Sequence, residues 1–402
     1  MRIIFISYDG ILEPLGYSQV FEYLKRLSGK HEIWLVSFEK NNDLIGVGKY
    51  DALKKTMIEN KISWSHLRYH KLPTVPATAY DVARGLIRAL LLIRKHKIEV
   101  VHTRGYVVSL IPLFLKKILG FRWIFDMRGF WADEKVEGGD WTPKGGLYRI
   151  TKYFEKKFLL NADAVISLSY AGKKELLKMM PPKKGGFRIE VIPTCTNLEK
   201  FTPEKKSRRF IERGDPLSHP TVGYLGSASF SYLLEPALQF FKIVLSRFEK
   251  SKFLIINREH QSLIRDRCLE MGIPESAFEI RAVEHEAVAD EIRKMDFVVF
   301  FIRPSFSKTA SSPTKLGEIL GCGVPCVTND KIGDVTEIIE ESQVGCVVRD
   351  FSETSLVLAL DQVINLTKDA GLVERCVKAS RKYFDINEGV KSYHQIYESF
   401  RR

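Results

Sequence analysis

The sequence predicts an α/β protein of two doubly wound, parallel-sheet domains followed by a helical tail, and three observations carry that prediction. Short runs dense in Ile, Val and Phe recur at intervals filled by amphipathic helical patterns, the rhythm of strand–helix–strand units feeding a mostly parallel sheet. Between Cys195 and Pro220 the rhythm gives way to a stretch rich in Lys, Arg, Pro and Asp with little periodicity, the composition of an interdomain linker. It then restarts and continues to about Ser352, beyond which the pattern is helical to the end.

The first domain is read as residues 1–195. MRIIFISYDG opens with a short apolar run and then turn residues, as a buried first strand does and a secretory signal does not. Its candidate strands are Arg2–Ser7, Glu32–Ser37, Val100–His102, Trp123–Asp126, Ala164–Leu168 and Arg188–Ile192, with helices at Ser18–Leu27, Ala79–Lys95 and Tyr148–Leu160 between them. The second domain, 216–385, has candidate strands Thr221–Leu225, Lys252–Ile256, Phe278–Arg281, Phe297–Phe301, Pro325–Thr328 and Gly345–Val348. Residues 386–402 are expected to form a helix that returns to the first domain.

A chain of 402 residues that is 45% hydrophobic and 28% charged can bury full cores, so disorder is not expected. The six cysteines are sparse and sit mostly among apolar neighbours, which fits a reduced, cytoplasmic compartment. Cys322 and Cys326 have no second Cys/His pair nearby, so structural zinc is not expected there. The longest apolar stretches, near Ala89–Ile93 and Val107–Leu115, fall short of the roughly 18 residues of a spanning helix.

Net charge is +13 and unevenly placed: residues 1–195 carry +14, the remainder −1. Such a field attracts anionic lipid headgroups, nucleic acid or phosphorylated substrates, and a Lys-rich surface serving solubility gives the same count. Nucleic acid is disfavoured, because no recognition-helix, zinc-finger or aromatic stacking signature accompanies the charge. GxGxxG is also absent, which counts against a dinucleotide oxidoreductase.

In open parallel sheets the ligand crevice lies beyond the carboxyl ends of the strands. Two such sheets are expected to face one another across a cleft. The segments that matter most are then Tyr8–Gln19, Thr103–Tyr106, Met127–Asp140, Gly226–Phe230 and Arg303–Pro313.

The richest segment, FFIRPSFSKTASSPTKLGEILGCGVPCVTN, runs from Phe300 to Asn329. After an apolar strand and a loop of small residues, Ser312 and Pro313 are expected to open a helix, Ser as N-cap and Pro in the first turn. First-turn N–H groups are unpaired within a helix and carry partial positive charge, so they can hold a diphosphate. Ser311, Ser312 and Thr314 add hydroxyl donors, and Arg303, Lys308 and Lys315 add formal charge. Glu318 lies one turn beyond Lys315, where a carboxylate can accept from two vicinal ribose hydroxyls. A capped helix with a Lys315–Glu318 surface pair is the plainer account, but three cations and several hydroxyls on one post-strand loop favour a ligand.

This segment resembles the donor-site signature of retaining glycosyltransferases of family 4, enzymes of the GT-B fold with two Rossmann-like domains. Those enzymes have a Glu at the position of Glu318, followed by a Gly-x-Pro stretch like Gly321–Pro325. SYDGILEPLGYSQV at Ser7–Val20, VSFEK at Val36–Lys40, FDMRGFWADEKVEGGDW at Phe125–Trp141, NADAVISLS at Asn161–Ser169 and VGYLGSASFSYLLEPALQFF at Val222–Phe241 resemble a subgroup found in surface-polysaccharide biosynthesis. The resemblance covers nearly the whole chain. It implies a nucleotide-diphosphate sugar as donor, a saccharide or lipid-linked saccharide as acceptor, and no separate cofactor.

Two departures limit what carries over. Ala310 stands eight positions before Glu318, where members usually have a second Glu touching the donor sugar. The loop Gly226–Tyr232 lacks the Arg and Lys that many members use to hold the diphosphate; Gly226 and Ser227 remain donor candidates, and Lys308, Lys315 and Arg303 are expected to supply the charge.

In the first domain, Gly16 precedes the helix expected from Ser18. The resemblance places this turn against the donor phosphates and the acceptor, with Tyr17, Ser18 and Gln19 as acceptor contacts; a plain β–α turn explains the same glycine. Asp126 and Arg128 stand where a strand ends, Arg128 near a position where the family often has His. Arg cannot serve as a base because its pKa stays above ~12, so Arg128 is read as an electrostatic clamp on a phosphate or acceptor. Asp126 is its partner or a contact to the acceptor hydroxyl, and an ion pair that merely orders the loop is the alternative. His102 and Arg104 are further acceptor candidates. Asp126, Arg128 and Lys308 carry the catalytic assignment.

No Asp-x-Asp motif occurs in the chain, so transfer without a metal is expected, with the acceptor attacking the same face that the phosphate leaves. The basic first domain is expected to dock peripherally on the anionic inner face of the cell membrane, as a monomer or weak dimer. Two other readings compete: an epimerase or hydrolase of the same fold, and a noncatalytic sugar-recognition module, the latter favoured by Ala310.

Overall fold

The computed structural model describes residues 1–45, 48–181, 186–203, 219–226 and 231–401; Ser227 lies outside them. The chain divides into two compact units, one of Met1–Thr194 with Ile386–Arg402, the other of Cys195–Asp385.

The first unit holds a seven-stranded sheet: β1 (Arg2–Ser7), β2 (Glu32–Glu39), β3 (Ile62–Arg68), β4 (Val100–Arg104), β5 (Arg122–Asp126), β6 (Ala164–Ser167) and β7 (Ile189–Val191). Its order is β3-β2-β1-β4-β5-β6-β7, with every pair parallel. The second unit holds β8 (Thr221–Leu225), β9 (Lys252–Ile256), β10 (Phe278–Arg281), β11 (Phe297–Val299), β12 (Cys326–Asn329) and β13 (Gly345–Val348), ordered β10-β9-β8-β11-β12-β13 and again all parallel. The chain thus adopts the two Rossmann-like sheets and the helical tail that its patterning predicts. In each sheet the strand order reverses beside the first strand, at β1/β4 and at β8/β11, and such switch points open a crevice beyond the carboxyl ends.

Parallel neighbours need long crossovers, and helices supply them. Thr74–His96 joins β3 to β4, and Tyr106–Leu119 joins β4 to β5. The central strands are covered on both faces: Ile3, Ile4, Phe5 and Ile6 in β1 and Phe297, Val298 and Val299 in β11 are all buried.

Three local expectations fail, each for a physical reason. The sequence pattern does not predict β3, because ISWSHLR, at the sheet edge, mixes polar with apolar residues and is only partly buried. The helix expected from Ser18 starts at Pro14 and passes through a π-helical turn at Tyr17–Phe21 before Glu22–Leu27. In the second unit the helix after β11 runs Thr314–Gly321, so its flanking residue is Pro313, in an extended conformation, and Ser312 is not the N-cap. Proline disfavours helical geometry in the residue before it, which keeps Ser312 outside the first turn.

Candidate functional site

The loop between β11 and the Thr314–Gly321 helix is pinned at its start by Asn329, whose side chain accepts from Ile302 N–H at 2.8 Å and donates to Ile302 C=O at 2.9 Å. A side-chain amide thereby replaces one rung of the sheet just past β11. The loop then turns through a short 3-10 segment, Ser307–Ala310, and the N–H of Gly333 donates to the Lys308 carbonyl at 2.8 Å. Ser311, Ser312 and Thr314 are partly exposed ahead of the helix, Arg303 is exposed, and Ala310 is buried. The first-turn N–H groups of Thr314 and Lys315 have no partner within the helix, as at any helix start.

Lys315 does not sit where a first-turn lysine is expected. As a residue it is half-buried, but its ammonium points inward: it donates to the carbonyl of Leu225, lies 3.9 Å over the centre of the Tyr232 ring and occupies the space a side chain on Gly226 would need. Gly226, with φ +147°, leaves that space open. Its carbonyl is held by the Asn257 amide at 2.7 Å. Burial pulls the Lys315 ammonium down to about 7, against which Glu318 acts only weakly. A cation carried by the neighbouring helix therefore lies at the end of β8, beside Gly226.

Glu318 is buried and faces His285, with Nε2 to Oε1 at 3.4 Å; a surface pair with Lys315 is not formed. The Glu318 carboxylate raises the His285 pKa against the opposing effect of burial. His285 also meets the ring of Phe201 edge-on. No motif marks His285, which lies 33 residues before its partner.

In the first unit the switch point gathers five of the sequence-selected residues. Arg104 and Asp126 end adjacent strands and are paired in register. Asp126 is buried; its Oδ2 accepts from the Tyr393 hydroxyl at 2.9 Å and lies 3.9 Å from His102 Nε2, while Arg128 approaches Oδ1 at 3.9 Å. Burial alone would push the Asp126 carboxyl up; Arg128, His102 and Arg104 overcome it and bring it down to about 2. Arg104 is buried too, donating to the Gln19 carbonyl at 3.1 Å with its Nε 3.7 Å from Asp9. Two guanidiniums thus face buried Asp126 and the more exposed Asp9, and Arg104 Nε and Asp126 Oδ1 have no hydrogen-bond partner. Arg128 holds φ +60°, a left-handed geometry that non-glycine residues adopt at a cost.

His102 proves to be the middle residue of β4, fully buried, its Nδ1 2.7 Å from the Tyr397 hydroxyl. It is not a loop residue beyond a strand end. Tyr393 and Tyr397 both come from the tail helix Ile386–Ser399, and their four-residue spacing is the only sequence signal that could have flagged them. Tyr17 is exposed, Ser18 half-buried and Gln19 buried.

Gly16 has an ordinary helical φ, so conformation does not explain it. A Cβ there would lie 1.9 Å from the Gly10 carbonyl oxygen. The loop it packs on is held by buried Glu39, which accepts from Ile11 N–H at 2.9 Å and Leu12 N–H at 3.2 Å. The close approach that requires this glycine is to the chain's own backbone. Gly16→Ala is expected to cost about 1–3 kcal/mol, the usual range for overpacking. An unchanged midpoint in urea unfolding would contradict this contact.

Two family profiles divide the chain. Residues 19–200 match Glycosyltransferase Family 4, and residues 207–383 match Glycosyl transferases group 1. Among solved structures, sucrose-phosphate synthase from Thermosynechococcus elongatus is similar at 15% identity over 99% of this chain and 98% of that one, with a TM-score of 0.72. Anabaena Alr3699/HepE, solved with UDP and glucose, is similar at 13% identity over 99% and 100%, TM-score 0.65. WaaG, a glycosyltransferase involved in lipopolysaccharide biosynthesis, is similar at 12% identity over 98% and 99%, also with TM-score 0.65. At these identities the likeness is one of fold. No curated protein matches the chain.

Proposed function

This chain is a glycosyltransferase of the family 4 type, and on that premise we propose that it moves a sugar from a nucleotide-diphosphate donor to a saccharide, lipid-linked acceptor with retention of anomeric configuration, in cell-surface polysaccharide biosynthesis. The observation that carries the reading is the inward-turned Lys315 ammonium at Gly226, beside a helix start at the β8/β11 switch point. Structural relatives that bind UDP and UDP-glucose support a donor of this class.

As the C1–O bond to the leaving group breaks, charge builds on the β-phosphate oxygens. Amides of the first helical turn and a lysine aimed there stabilise that charge more in the transition state than in the ground state. The acceptor oxygen bonds to C1 on the same face, and its proton passes to the departing phosphate oxygen. Buried Glu318, oriented by His285, takes the ribose hydroxyls. In the first unit the guanidiniums of Arg104, whose Nε has no hydrogen-bond partner, and of Arg128 suit an acceptor or phosphate that brings an anion. The lack of an Asp-x-Asp motif supports transfer that uses no metal at the reacting phosphates.

The test is incubation with a panel of nucleotide sugars, with and without lipid-linked acceptors, and assignment of the product anomer by NMR. Transfer that needs the acceptor and retains configuration is expected; an inverted product refutes the route. Nucleotide release without acceptor would support the epimerase or hydrolase reading. Binding without turnover would support the noncatalytic reading, which buried Ala310 favours.

Membrane docking from the cytoplasmic side is part of the same proposal. No helix among the described residues is long and apolar enough to cross a membrane. On the packed pair of helices Thr74–His96 and Tyr106–Leu119, exposed Ile87, Leu91, Phe114 and Ile118 stand beside exposed Arg88, Arg94, Lys95 and Lys117. Binding to anionic vesicles is expected to fall sharply by about 1 M salt, where the Debye length shrinks to about 3 Å. Salt-insensitive sedimentation would show that apolar insertion alone holds the protein.

A further inference from the structure

The tail helix Ile386–Ser399 bears His394 and Glu398 four residues apart, a spacing that stacks two side chains on one face. Opposite them is His31, the residue that leads into β2, itself buried. His31 Nε2 lies 2.9 Å from His394 Nδ1, and one ligand atom from each of the three residues falls within 4.8 Å of the others. Two ring nitrogens at that distance either share a proton or turn both lone pairs to one cation. Two nitrogens bound at about 2.0–2.1 Å in a tetrahedral site stand roughly 3.3 Å apart, so the change needed is a few tenths of an ångström.

Two features favour the cation. The carboxylate of Glu398, one oxygen of which pairs with Arg401, completes a two-His, one-carboxylate set here. The His31 ring is also fixed in orientation: Tyr397 stands edge-on to it, with centroids 5.2 Å apart, while the Tyr397 hydroxyl is itself held by His102. This contact fixes the plane of the ring through packing and not through a hydrogen bond to its far nitrogen. Arg401, 2.8 Å from Glu398, and the Met1 amino nitrogen, 3.4 Å from His31 Nδ1, are the charged groups a cation would have to share space with.

We propose that His31, His394 and Glu398 form a three-ligand site for one divalent transition-metal ion of the zinc type, which clasps the tail helix to the first unit's sheet. Nitrogen and carboxylate ligands suit zinc, cobalt or nickel better than calcium or magnesium. The role is structural: the same helix carries Tyr393 and Tyr397, so the ion would secure the side chains that hold Asp126 and His102. The site owes nothing to the donor-site reading.

The full chain, stripped with chelator, is titrated with Co²⁺ while visible absorption is followed, then with Zn²⁺. One equivalent of cobalt is expected to produce a saturable d–d band that one equivalent of zinc displaces, and zinc is expected to slow tryptic cleavage within the tail helix. His394→Asn and Glu398→Gln, both on the more exposed side, are each expected to weaken cobalt binding at least about ten-fold. His31→Ala is avoided because that residue is buried. No saturable band, or unchanged cobalt affinity in both His394→Asn and Glu398→Gln, would overturn the assignment.

Discussion

At pH 8, binding of a nucleoside diphosphate draws close to one proton from solution, and Lys315→Met abolishes that uptake while weakening binding roughly thirty-fold, about 2 kcal/mol, the scale of a charge-assisted hydrogen bond. The ammonium lies beneath Tyr232, where burial lowers it to about 7. At pH 8 it is then about nine-tenths neutral. A diphosphate set against the same helix start favours the charged form, so the lysine takes up its proton as the ligand arrives. Calorimetry in two buffers of different ionisation enthalpy reads the uptake directly. Unchanged affinity in the variant, with no proton linkage in the wild type, would remove Lys315 from the site. The free protein offers a second readout of the same group. Between about pH 7 and the ordinary 10.5, the unfolded chain holds a proton that the folded chain has released, so stability rises with pH across that window. In Lys315→Met that rise is lost.

Asp126→Asn is expected to cost about 3–5 kcal/mol of folding stability, the scale of removing one partner from a buried ion pair. The side chain keeps its size and can still accept from Tyr393, so packing is not what changes. What changes is that Arg104 and Arg128 lose the one buried carboxylate between them. The wild type should also carry an acid limb that the variant lacks. A carboxyl held at about 2, below its ordinary 3.8, contributes stability that is complete above pH 3.8 and is lost as pH falls through about 2. Urea unfolding at pH 7 and along an acid series checks both. A variant within about 0.5 kcal/mol of wild type would mean that water already screens the cluster.

Much of this was legible from sequence because buried parallel strands are dense in apolar residues on both faces. The runs RIIFIS, VVH and FVVFF could be assigned without knowing their neighbours. β3 was not legible, since ISWSHLR at an edge obeys no such density. The segment Phe300–Asn329 could be singled out because loop, cations and helix start are contiguous. Its inner partners could not: His285 reaches Glu318, and Asn257 reaches Gly226, across separations that no local spacing encodes. The same holds for Tyr393 and Tyr397, which arrive from the far end of the chain. Charge alone marks Lys315 in the sequence. That its head turns inward depends on Gly226 lacking a side chain, a fact that only packing reveals.

The most direct measurement is a crystal structure of the full chain with a nucleoside diphosphate. Diphosphate oxygens are expected within hydrogen-bonding distance of the Thr314 and Lys315 amides and the Lys315 ammonium, with the ribose against Glu318. Density for the nucleotide anywhere else, with that helix start untouched, would contradict it.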